Sequence, residues 1–303
     1  MIRLFDGHCD TAYELWRRGQ PLAENTCHID LRKASAFGAY AQVFAFCSYA
    51  GTAGVNCEAM LTEPLSVLRG QVSANAAHIA FADTRETIAQ ALSAGKTAAL
   101  LSVEGAEVLA CDPRRLYALR SQGFRMLTLT WNADNALAGC HLSGSGLTAQ
   151  GKAFVKEAQA LDILVDVSHL GERAFWDLVH VTQKPILASH SNARALCDHS
   201  RNLTDDQLRA IADTGGTVGL NLYPTFLGEN ADLETLLRHL EHMLTLCGES
   251  HVALGGDLDG CDILAAGFSS VADYVSFYEY LMAQGYGDSL LDRLFFTNLL
   301  ALF

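Results

Sequence analysis

Two side chains that ligate metal ions stand one residue apart near the start of the chain, His8 and Asp10, just after the short apolar run Ile2-Arg3-Leu4-Phe5. In an extended segment residues i and i+2 point the same way, so this imidazole and carboxylate can reach one ion just past the end of a strand. His-x-Asp alone also fits a turn with a capping Asp. The same placement recurs, however: Glu104 follows Ala-Leu-Leu-Ser-Val, His169 follows Leu-Val-Asp-Val-Ser, His190 follows Ile-Leu-Ala-Ser, and Asp257 follows Ala-Leu-Gly-Gly. Each of these residues alone could cap a helix or satisfy backbone groups. Together they are buried-type acids and imidazoles with no comparable Lys or Arg cluster to pair with them, which points to bound cations. Imidazoles mixed with carboxylates suit zinc, whereas calcium or magnesium calls for oxygen ligands. The set exceeds the three or four ligands one zinc takes, so two ions are expected, with Glu104 as the bridging carboxylate.

These residues need a scaffold that brings strand ends together. Eight strand-length apolar runs occur, Ile2 to Phe5, Gln42 to Phe46, Ala98 to Val103, Arg125 to Thr130, Ile163 to Val167, Pro185 to Ala188, Thr217 to Leu222 and Val252 to Leu254. Helical patterns lie between them: Glu58 to Phe81, Thr84 to Ala94, Pro113 to Gln122, Thr148 to Leu161, Leu203 to Thr214 and Leu233 to Cys247. This alternation predicts an α/β fold, a (β/α)8 TIM barrel of the metal-dependent hydrolase type, whose C-terminal strand ends converge on one mouth. An open doubly wound sheet would want Gly-x-Gly-x-x-Gly after its first strand to bind a nucleotide, and none is present. One barrel domain absorbs all 303 residues, and no linker or repeat divides 1–303.

Half the residues are apolar and 18% charged, as expected for parallel strands buried on both faces, and the net charge of −13 argues against nucleic acid as a partner. Nine cysteines without a Cys-x-x-Cys pair read as small buried hydrophobes in a reducing compartment. The absence of a secretory h-region or an apolar run of ~18 residues predicts a cytoplasmic protein off the membrane.

The ordered segments Asp6-Gly7-His8-Cys9-Asp10, Ser102-Val103-Glu104-Gly105, Leu127-Thr128-Leu129-Thr130, Asp166-Val167-Ser168-His169, Ser189-His190-Ser191-Asn192-Ala193, Arg201-Asn202-Leu203 and Gly256-Asp257-Leu258-Asp259-Gly260 resemble the renal (membrane) dipeptidase family, peptidase family M19 of the amidohydrolase-like barrels. The resemblance runs nearly end to end. It implies a zinc-dependent dipeptidase, tolerance of a D-residue at the dipeptide's C-terminal position, and a homodimer. By the same resemblance His8, Asp10 and Glu104 hold one zinc, and Glu104, His169 and His190 the second. Asp257 moves the proton of the bridging water, and Arg201 grips the substrate carboxylate with its planar fork. Two zinc ions would bring a shared water to a pKa of about 7, giving the hydroxide that attacks the peptide carbonyl.

One departure bears on the substrate. Animal members of the family carry a histidine after Leu-Thr-Leu-Thr, and this chain has Trp131, whose indole offers one N–H or an apolar wall. That histidine is thought to bind the substrate carbonyl, and the loop that follows, Asn132 to His141, offers His141 as its only imidazole for the same task, though His141 reads first as an exposed loop histidine. His239 and His242 read as a solvated helix face, because His-Leu-Glu-His is not the zincin motif. His28, His78, His180, His199 and His251 show no ligand partners by spacing, and Asp259 reads as bonded within its loop or lining the pocket. Two rival readings use the same barrel: a hydrolase for a different amide, lactam or N-acyl amino acid, and a catalytically silent metal-binding barrel.

Overall fold

The computed structural model describes residues 1–303. Nine strands run in parallel: β1 Arg3–Cys9, β2 Ala39–Cys47, β3 Ile79–Phe81, β4 Thr97–Glu104, β5 Phe124–Thr128, β6 Leu164–Asp166, β7 Ile186–Ala188, β8 Thr217–Leu220 and β9 Val252–Leu254. Because β1 pairs with both β2 and β9, and β2 with β4, the ring closes through eight strands, as a (β/α)8 barrel requires. The ninth, β3, pairs only with Thr97–Ala99 of β4, before β5 joins at Leu101.

That extra strand corrects the helix expected over Glu58 to Phe81. The helix runs Cys57–Ala74, opened by the Asn56 side chain and closed at Asn75, whose carboxamide bonds back to the Gln71 carbonyl. Ile79-Ala80-Phe81 continues the apolar spacing but lies past that stop. Caps set the other boundaries as well. Thr84, Thr148 and Thr204 each accept a backbone N–H at N3 of the helix they open, so the helices are Arg85–Ser93, Ala149–Ala160 and Asp205–Asp213. The segment from Pro113 is a 3₁₀ turn followed by the helix Leu116–Ser121.

Strand residues are buried on both faces. Phe5, Val43, Leu100, Met126, Leu187 and Ala253 form one cluster, against which Phe296, Leu299 and Phe303 of the C-terminal segment pack. Leu4, Phe44, Leu101, Leu127, Val165 and Leu254 belong to the larger cluster shared with the helices. All nine cysteines are free thiols, six of them buried. No helix is long and apolar enough to cross a membrane.

Candidate active site

β1 extends beyond its apolar run. It continues through His8 to Cys9, and its pairing with β2 slips between Asp6 and Cys9. Such a bulge re-aims side chains at a strand end. Here it is stabilised by Asp6, which is fully buried: Oδ1 accepts from the His8 N–H at 3.0 Å and from Gln42 Nε2 at 3.0 Å, and Oδ2 accepts from the Gly256 N–H at 2.9 Å and the Tyr274 hydroxyl at 2.7 Å. One carboxylate therefore ties the His8 strand to the loop that carries Asp257. Gly260 closes that loop against the site, where a Cβ would lie 2.2 Å from Asp257 Oδ1 and 2.4 Å from Asp10 Oδ2.

All six strand-end residues meet at the barrel mouth, and all are buried. His8 Nε2 lies 3.4 Å from Asp10 Oδ2, 3.7 Å from Glu104 Oε2 and 3.9 Å from Asp257 Oδ1. Glu104 Oε1 lies 2.7 Å from His169 Nε2 and 3.5 Å from His190 Nε2, and those two nitrogens are 3.1 Å apart. Ligand atoms of His8, Glu104 and His190 form one group of cation-holding size, and those of His8, Asp10 and Asp257 form another. His8 Nε2 and Asp10 Oδ1 are buried with no hydrogen-bond partner. A buried polar atom left unpaired is costly, and a cation satisfies both. The donor set thus fits a divalent metal.

The far nitrogens of His169 and His190 are fixed. His190 Nδ1 is 2.7 Å from the Ser189 hydroxyl, which also bonds Asp166, and His169 Nδ1 is 2.8 Å from Asn132 Oδ1. Outer partners of this kind fix the tautomer of a ligating imidazole. His169 and Asp257 have φ of 68° and 56°, left-handed backbone that non-glycine residues seldom adopt and that clusters at functional sites.

Electrostatics follow from crowding. Burial pulls the His8 imidazole down, but Glu104, Asp10 and Asp257 outweigh it and lift the group to about 10. Burial, and repulsion from Glu104 and Asp257, raise the Asp10 carboxyl against the pull of His8. Glu104 moves the other way: burial is overcome by His8, His169 and Arg201, and its carboxyl sits below the usual range. Burial chiefly drives His169 down to about 4 and His190 well below its ordinary value, so both are neutral. A metal ion held by His8 would therefore displace its proton. At pH 7, titrating zinc into metal-free protein in buffers of different ionisation enthalpy is expected to show about one proton released or more, with affinity rising as pH approaches 10. Uptake without proton release would refute the His8 assignment.

The centre opens into a cavity of about 300 Å³ lined by Asp10, Glu104, His169, Asp257, Trp131 and Arg201, and also by Tyr49, Asn132, His141, His199, Tyr223 and Phe226. Arg201 is buried, its Nε has no partner, and its guanidinium lies 5.3 Å from the Phe226 ring centre. Trp131 packs on Tyr49 at 5.3 Å and on His169 at 6.3 Å between ring centres.

Several histidines differ from expectation. His141 is half-buried in the cavity wall, bonded to Asn132 and Ser200, and burial with Arg201 nearby drives it down to about 3. His199 also lines the cavity, its Nδ1 accepting the Arg201 N–H at 3.1 Å. His239 is 1% exposed rather than solvated: Nδ1 accepts from the Ala193 N–H and Nε2 faces the Leu227 carbonyl. Its place beside Leu236, Leu240 and Met243 on one helical stripe is the signal for that burial. His242 meets Asp205. Asp259 bonds outside its loop, to the Thr11 hydroxyl and the His28 N–H, while His28 Nδ1 accepts the Asp259 N–H. Asn132 and Asn221 are unforeseen partners, and Asn221 Nδ2 donates to Asp257 Oδ2 at 3.2 Å.

Known proteins resemble this chain along its whole length. The family model for membrane dipeptidase, peptidase family M19, matches residues 1–303. An uncharacterised protein from the pqqA 5' region of Klebsiella pneumoniae is 35% identical over 253 residues, 79% of this chain and 93% of that one. A metallopeptidase from Rhodobacter sphaeroides, solved with a phosphinate mimic of the dipeptide L-Ala-D-Ala, superposes with a TM-score of 0.91 at 27% identity, covering 99% of this chain and 98% of that one. The structure of dipeptidase AC, a metallopeptidase of family M19, gives 0.92 at 28% identity over 99% and 97% of the two chains. The chain therefore belongs to peptidase family M19, the membrane dipeptidase family of metal-dependent dipeptidases.

Proposed function

We propose that this chain, acting as one catalytic barrel over residues 1–303, hydrolyses dipeptides with two zinc ions and accepts a D-residue at the C-terminal position. The observation that carries the reading is the pairing, in one cavity, of a cation-hungry cluster with a buried arginine whose Nε–H has no partner. In this reading His8, Asp10 and Glu104 hold one ion, and Glu104, His169 and His190 hold the other. When bound, the pair supplies Lewis acidity that polarises the scissile carbonyl and lowers the pKa of water.

The protein's own groups do the rest. Arg201 offers its unpaired Nε–H to the dipeptide carboxylate, which fixes the substrate's length, while Nη2 donates to the His190 carbonyl at 3.5 Å. Asp257 is the proton carrier. Burial raises its carboxyl, opposed by His8 and reinforced by Glu104, so it holds a proton more readily than a free carboxylate, while Asn221 anchors Oδ2. As water oxygen adds to the carbonyl carbon, Asp257 takes a water proton. As the C–N bond breaks, that proton passes to the leaving amine and the carboxylate is restored. Trp131 closes the wall beside His169 as an apolar surface.

The D-residue preference is supported by likeness to the Rhodobacter sphaeroides enzyme, whose ligand mimics L-Ala-D-Ala. A cytoplasmic location is supported by nine free thiols, and a homodimer by family membership. The test is a panel of L,L and L,D dipeptides with their C-terminal amides, tripeptides and N-acetyl amino acids. Arg201→Met is expected to lose about 2–5 kcal/mol of carboxylate recognition, roughly 30- to 4,000-fold in kcat/KM on dipeptides, and to narrow the gap between acid and amide. Preference for amides or N-acetyl amino acids in the native chain would favour a different amide substrate.

A further inference from the structure

The loop after Trp131 places His141 between the substrate-binding loop and a metal ligand. Its backbone N–H donates to the His169 carbonyl at 2.8 Å, and the Thr130 hydroxyl donates to the same oxygen at 3.3 Å, which holds the left-handed turn at His169. Cys140 and Leu170 form a two-residue bridge that aligns the two segments. The His141 ring then reaches Asn132 Oδ1 with Nε2 at 3.1 Å and the Ser200 hydroxyl with Nδ1 at 2.8 Å.

The proton positions follow from connectivity, given the metal-ligand reading of His169 above, on which this inference rests. With Nε2, which lies on the Glu104 side at 2.7 Å, given over to the metal ion, the His169 proton sits on Nδ1 and is donated to Asn132 Oδ1 at 2.8 Å. Asn132 Oδ1 is then an acceptor, so His141 must donate to it from Nε2–H. That leaves His141 Nδ1 bare to accept the Ser200 O–H. Both ring nitrogens are committed, so His141 is not free to donate to a substrate oxyanion in place of the histidine that Trp131 replaces.

We propose that His141 is a positioning residue: through Asn132 it fixes the rotamer and tautomer of His169, and through Ser200 it ties that ligand to the loop carrying Arg201. Its side chain acts on the ion held by His169, His190 and Glu104, and leaves the ion at His8 and Asp10 untouched.

The experiment is zinc competition against a chromophoric chelator on native protein, His141→Leu, His141→Gln, Asn132→Ala and the Leu/Ala double variant. His141→Leu is expected to weaken one zinc equivalent roughly 10- to 100-fold and spare the other. His141→Gln, which can still donate to Asn132, is expected to recover most of the loss. The double variant is expected to lose no more than the worse single one, because both break the same link. If His141→Leu does not fold, Asn132→Ala and His141→Gln carry the test. Full affinity for both equivalents in His141→Leu, or in Asn132→Ala where that stands in for it, would overturn the proposal; so would additive losses or a loss in Gln equal to that in Leu. A native chain that binds no zinc would instead refute the bimetallic reading itself.

Discussion

Glu104→Gln is expected to lose metal and activity together. Its carboxylate lies 2.7 Å from His169 Nε2, 3.5 Å from His190 Nε2 and 3.7 Å from His8 Nε2, so it is the one anion within reach of all three imidazoles. The carboxamide keeps the shape and removes the charge. Breaking a buried charge pairing of this kind costs about 3–5 kcal/mol, or roughly 10²- to 10⁴-fold in zinc affinity, and its loss strikes both proposed sites at once. Metal analysis after gel filtration, with dipeptide turnover on the same sample, checks the result. Two ions still tightly held by the variant would remove Glu104 as the bridge.

Asp257→Asn is expected to separate the two properties. Asp257 Oδ1 is 3.9 Å from His8 Nε2, the most distant of the three carboxylates, and its Oδ2 is engaged by Asn221. The amide preserves that anchoring with its oxygen yet cannot accept the water proton. Zinc content is expected to stay near the native value while kcat falls roughly 10²- to 10⁴-fold, the usual worth of a positioned acid–base group. KM is expected to change little, since the carboxylate contact is the one proposed for Arg201. Near-native turnover would exclude Asp257 as the proton carrier. Loss of one ion would make it a ligand first, in keeping with its place in the His8–Asp10 group.

The six ionisable residues were legible in the sequence because each follows a strand-length apolar run, and a closed parallel barrel leaves such residues one place to converge. The closure is confirmed by β1 pairing with both β2 and β9. What escaped the sequence depends on contacts between distant loops. Asn132 and Asn221 lie in unremarkable loops and matter only because His169 and Asp257 fold against them. Tyr49 and Phe226 are ordinary aromatics until they wall the cavity. His199, lacking ligand spacing, was expected to be a bystander and His141 an exposed loop residue, yet they brace the neighbourhood of Arg201 and His169. β3 was missed because three apolar residues beyond a helix stop keep the helical rhythm.

The most direct measurement is hydrolysis of L-Ala-D-Ala and L-Ala-L-Ala by protein stripped with chelator and then titrated with zinc. The account predicts no turnover without metal, recovery that saturates near two zinc equivalents per chain, and cleavage confined to dipeptides with a free carboxylate. Unchanged turnover in the stripped protein, or none from a chain carrying both ions, would contradict it.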